Sequence, residues 1–148
     1  MSEHYFAKHI KGFHYTSYLA GVNATFAEVV SAGCKKLALS SPLTEEQFEA
    51  VRHATEEAAE EYNVCLYVER ELLVTLMFPR DIAKNKIVIL IAHDEGVLRE
   101  YLDLKAYKMR HIESGTLTRE VEVEIAHRFG KLLSYDDGSI MRLLMKWG

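Results

Sequence analysis

The most apolar run in the chain, Lys86-Ile87-Val88-Ile89-Leu90-Ile91-Ala92, ends abruptly at His93-Asp94-Glu95. A short run rich in β-branched residues and closed by polar side chains predicts a buried strand. Leu37-Ala38-Leu39-Ser40 and Val64-Cys65-Leu66-Tyr67-Val68-Glu69 read the same way, as does Leu72-Leu73-Val74-Thr75-Leu76-Met77-Phe78. Only Arg70-Glu71 separates the last two, which predicts a tight hairpin. That turn lacks the glycine or asparagine a two-residue loop favours, so a bulge or wider loop is the alternative.

Elsewhere the apolar spacing is three and four. Leu19, Val22, Phe26 and Val29/Val30 predict a helix over 16–32, stopped by Gly33. Its poor helix formers Gly21 and Asn23 suggest a close packing contact. The signal at Leu43-Thr44-Glu45-Glu46-Gln47-Phe48 is the strongest in the chain: Thr44 and Gln47 can cap each other, and Leu43 can pack on Phe48. The helix that follows turns Phe48, Val51, Thr55, Ala58 and Tyr62 inward and leaves its glutamates in water. A third helix is predicted from Asp94/Glu95 to about Ile112, with two apolar stripes. Residues 116–126 alternate as a strand would, but the helical pattern Leu117, Val121, Ile125, Phe129, Leu132 continues farther and favours helix. Residues 139–148 predict a short amphipathic helix.

This order predicts one α/β domain over residues 1–148. It would hold a mixed sheet of about four strands with a βαβ unit and a β-hairpin, covered by four or five helices, with a helical C-terminal third. Residues 1–15 form an N-terminal arm rich in histidine and aromatic residues. A right-handed crossover makes the strands at 37–40 and 64–69 parallel. Two further reversals would make 86–92 parallel to both.

Composition narrows the class. At 148 residues with 49% hydrophobic content and two prolines, the chain is long enough for one core and has no linker-like tract. No run reaches the ~18 apolar residues of a membrane span, and 1–10 lacks the apolar stretch of a signal peptide, so a cytoplasmic location without membrane contact is expected. Twenty-two acidic against 18 basic residues give a net charge of −4, which disfavours nucleic acid as a partner. Cys34 and Cys65 form no paired motif and read as reduced thiols.

Candidate chemistry follows from the predicted direction of the strands. If 37–40, 64–69 and 86–92 run together, Ser40-Ser41, Glu69-Arg70-Glu71 and His93-Asp94-Glu95 share the carboxyl edge of the sheet, where open α/β sheets bind ligands. His93 is the expected acid or base, with Asp94 or Glu95 as the group that orients it. Ser40, Ser41, Glu69, Arg70 and Glu95 are the expected ligand-binding groups, and a divalent metal held by His93 with the carboxylates is the alternative. The same residues also suit a purely structural reading, with Asp94 an N-cap, Glu95 at a positive helix end and Arg70-Glu71 a polar turn.

In "HYFAKHIKGFHY", residues 4–15, His4, His9 and His14 recur every five residues, which gathers them on neither a helix nor a strand. Tyr5, Phe6, Phe13 and Tyr15 beside Lys8 and Lys11 could stack bases, but an aromatic arm packed on this subunit or a neighbour suits an acidic chain better. Glycine-rich nucleotide loops, HExxH, GxSxG and CxxC are all absent. The leading expectation is a small-molecule-binding protein, or an enzyme that uses His93 and Asp94 for proton transfer or metal binding, with no cofactor specified. The rival is a homo-oligomeric or regulatory module that uses the arm and the helix at 139–148.

Overall fold

The computed structural model describes residues 3–148. Among them the elements are α1 (Glu3–His9), α2 (Tyr15–Ser31), β1 (Leu37–Leu39), α3 (Glu45–Tyr62), β2 (Cys65–Glu69), β3 (Val88–Ala92), α4 (Glu95–Glu113), α5 (Arg119–Leu132) and α6 (Asp137–Trp147).

Local side-chain chemistry sets where the helices start. Thr44 accepts from the Gln47 amide at 3.1 Å while the Gln47 side chain accepts from the Thr44 amide at 3.0 Å, so the predicted capping box is formed. Asp94, Thr118 and Asp136 cap α4, α5 and α6 in the same manner, each accepting from an amide three residues on. Gly33 just beyond α2 has φ +82°, and Asn63 closes α3 in the left-handed region. Residues 119–132 are helical, as the longer periodicity favours.

The sheet departs from expectation. It has three strands in the order β1-β3-β2, and both pairings are antiparallel: Leu37 lies opposite Ala92, and Cys65 opposite the same residue. The expected mixed sheet of four strands, with adjacent parallel strands in a βαβ unit, is therefore replaced by an antiparallel sheet in which β3 separates β1 from β2. The cause lies at 72–78, where the predicted hairpin partner does not pair. Burial still alternates there, with Leu73, Thr75 and Met77 buried and Val74 exposed. Side chains take the place of a ladder: the Leu73 amide donates to the Tyr101 hydroxyl at 3.1 Å, the Met77 amide to Thr75 Oγ1 at 3.3 Å, and Val74 O accepts from Lys108 Nζ at 2.6 Å. With one strand fewer there is one reversal fewer, and β3 runs opposite to its expected direction.

Every residue of β3 is buried, and its alternating side chains divide the interior. Val88, Leu90 and Ala92 join one core with Tyr101 of α4, Phe129 of α5 and Ile140 of α6. Ile89 and Ile91 face the other, with Val30 of α2 and Val51 of α3. The sheet is thus the middle of three layers. Burying large aliphatic or aromatic side chains of this kind contributes roughly 1.5–3 kcal/mol each.

Two helix expectations are also corrected. Gly21 faces open space, so it marks no close contact, whereas Asn23 is buried and donates to Thr55 Oγ1 at 3.1 Å, joining α2 to α3. Of the two stripes on α4, Val97, Tyr101 and Leu104 are buried, but Leu102 and Met109 are exposed. The close approach is instead at Gly130, where a Cβ would lie 2.6 Å from Ile140 Cγ1 and 3.0 Å from Met77 Sδ.

Candidate functional site

Reversal of β3 divides the expected common rim into two edges. At the first stand Ser40, Ser41, Glu69, Arg70 and Glu71. At the second, beyond Ala92 and beside the starts of β1 and β2, stand His93, Asp94 and Glu95.

The first edge is satisfied by its own chain. Buried Ser40 Oγ accepts from the Ile89 amide at 2.8 Å and donates to Ser41 O at 2.9 Å, so it extends the sheet. Glu69 is also buried. Its Oε2 accepts from the Tyr101 hydroxyl at 2.7 Å and from Lys105 Nζ at 2.9 Å, and its Oε1 accepts from the Glu71 amide at 2.9 Å. Burial first, and then the Glu69 carboxylate, push the Tyr101 phenol far above its ordinary range, while the Leu73 amide opposes them. Arg70 pairs with Glu45 at the start of α3. Glu69 thus ties the end of β2 to α4, and Arg70, the residue after it, ties the chain to α3. Tyr101 and Lys105 were not among the sequence candidates; their i,i+4 spacing puts them on one helix face, but nothing local to the chain brings that face to Glu69.

The second edge is open. The His93 amide donates to Lys36 O at 2.9 Å, the Lys36 amide to Ser134 Oγ at 2.9 Å, and Lys35 Nζ to Leu133 O at 2.6 Å. The 33–36 turn is thereby pinned to the end of β3 and to the turn between α5 and α6. Burial holds the Lys35 ammonium below its ordinary pKa. His93 Nδ1 lies 3.2 Å from Asp94 Oδ2, and both are exposed. Asp94 is held below the ordinary carboxylate range, first by the Val97 amide and then by His93. The Cys65 thiol is pushed up by burial first and then by the charge of Glu95, so it rests as a neutral thiol.

No protein-family model, curated protein or solved structure matches this chain.

The edge holds two neighbouring hollows. One, of about 510 Å³, is lined by Lys35, Lys36, His93, Asp94, Val97 and Glu100 among others. The second, about 310 Å³, lies between α4 and α5 and shares Lys36 and Glu100 with the first. On its far side Lys131 and His127 both approach Asp137, at 2.6 and 3.3 Å. Among the described residues, Lys36, Glu100 and Asp103 have no ion-pair partner. No three His, Cys, Asp or Glu residues among them are grouped to hold a metal ion, and no helix is long and apolar enough to cross a membrane.

The arm is partly helical. Its Phe6 ring stacks on Phe13 at 5.0 Å and tilts against Tyr18 of α2 at 4.6 Å, so these rings pack on the chain's own second helix. His111 lies against Thr116 and Tyr107, and His53 against Glu57, both within their own helical neighbourhoods.

Proposed function

We propose that this chain binds a small molecule along the His93 edge, in the trough between the 33–36 turn, the first turns of α4 and the outer face of α5. The ligand is a small zwitterion carrying both a carboxylate and an amine. The observation that carries this reading is that Lys36 and Glu100 line both hollows with opposite charges, yet neither has an ion-pair partner among the described residues. A bipolar molecule satisfies both at once through charge-assisted bonds, on a rim whose backbone is already pinned at Lys36 O and Lys36 N. The combined volume suits a ligand of metabolite size. His93, beside Asp94, stands at the mouth as the group able to move a proton if the ligand is transformed.

A panel of free amino acids, each paired with its analogue lacking the amine or the carboxylate, tests this by thermal shift. At least one zwitterion should raise the Tm, and neither analogue should match it. Equal shifts for analogue and parent would remove the reading.

One observation favours a second reading, a contact between copies through α6. Ile140 is buried and Leu143 and Leu144 are packed on the core, but Met141 and Met145 on the outer face are 55% and 83% exposed. Light scattering of Met145→Glu decides it: a self-associating chain should fall in mass, and a mass unchanged from that of the unsubstituted protein would exclude the contact.

A further inference from the structure

A third hollow, remote in sequence from the His93 edge, lies where the 74–80 segment meets the end of α4, the start of α5 and the end of α6. It measures about 580 Å³. Leu76, Phe78, Leu117 and Trp147 give it apolar walls. Arg80, Lys108 and Arg119 line it together with the Glu122 carboxylate and Gly148. Cations outnumber side-chain carboxylates in this lining, against the acidic balance of the whole chain.

Lys108 forms no ion pair among the described residues. Lys108 Nζ donates to the neutral carbonyl of Val74 at 2.6 Å, and Arg119 Nη2 to Gly148 O at 3.0 Å. Arg80 has no ion-pair partner among the described residues. Burial holds the Lys108 ammonium below its ordinary pKa; Glu122 opposes that effect and Arg80 adds to it. A bound anion near Lys108 and Arg80 would relieve both burial and repulsion.

We infer that this hollow is a binding site for an amphipathic carboxylate, an alkyl acid whose tail lies along Phe78, Leu117 and Trp147 and whose head meets Arg80 and Lys108. Apolar walls alone would accept any hydrocarbon; the cations select the acid. The site is independent of the His93 trough, and either can fail without the other.

Trp147 is the sole tryptophan, so its emission reports this hollow directly. Titration of the full chain with octanoate should give a saturable change in emission. Octanol should bind at least tenfold more weakly, and acetate should give none. Arg80→Ala, at an exposed and unpaired side chain, should weaken octanoate about tenfold with the circular dichroism unchanged, and Lys108→Met should do so as well. Amide chemical shifts should move at Ile112 and Leu117, not at His93 or Glu100. The absence of a saturable response, octanol binding as tightly as octanoate, or unaltered affinity in both folded variants would overturn the assignment.

Discussion

The Tyr101 hydroxyl donates to Glu69 Oε2 at 2.7 Å and accepts from the Leu73 amide at 3.1 Å, joining the end of β2 to a segment that pairs with no strand. One phenol thus replaces a ladder contact. Tyr101→Phe should cost about 1–3 kcal/mol in urea unfolding, because it leaves a buried amide and carboxylate oxygen short of a partner. Hydrogen exchange at Leu73 should speed up in the same variant.

The phenol also gives alkaline sensitivity a sign. Its folded pKa lies above the unfolded value of 10.0, so the unfolded chain loses that proton first as pH rises. The stabilisation is complete below about pH 10 and is lost progressively above it. Stability measured from pH 8 to 11 should therefore fall, and Tyr101→Phe should flatten that part of the decline.

Asp94 acts in the opposite direction. Its folded pKa is lowered from 3.8 by the Val97 amide first and by His93 next, so its stabilisation is present at neutral pH and lost as pH falls through the acid range. Asp94→Asn keeps an N-cap acceptor and should match the parent in acid, falling below it at neutral pH only by the loss of charge beside His93 and the helix start. Paired urea titrations at pH 7 and pH 3 check this.

Gly130→Ala should destabilise by about 1–3 kcal/mol from crowding against Ile140, less up to about 1 kcal/mol of helix propensity gained. The comparison with Gly21→Ala, a site in open space on α2, should show the contrast: that change should be neutral or stabilising.

What was legible in the residues was what neighbours decide among themselves. Thr44 and Gln47 lie three positions apart, so their reciprocal cap needs no tertiary information, and the same holds for Asp94 at α4 and Gly33 after α2. Residues 72–78 show the limit. Their apolar run was read as a strand, but the sequence does not say whether an extended segment meets another backbone or, as here, Tyr101 and Lys108. That one outcome reverses β3, separates Ser40 and Glu69 from His93, and leaves the candidate groups on two edges. Lys36 and Glu100 gave no motif at all; only the pinning of the 33–36 turn brings them to one trough.

Binding at the His93 edge is tested most directly by isothermal titration of Lys36→Met and Glu100→Gln with the amino acid that gives the largest thermal shift. Both side chains are exposed, so both variants should fold, and each should weaken binding by about 10–100-fold, the loss of one charge-assisted contact of about 1.5–3 kcal/mol. Unchanged affinity in either variant would contradict a zwitterion held between Lys36 and Glu100.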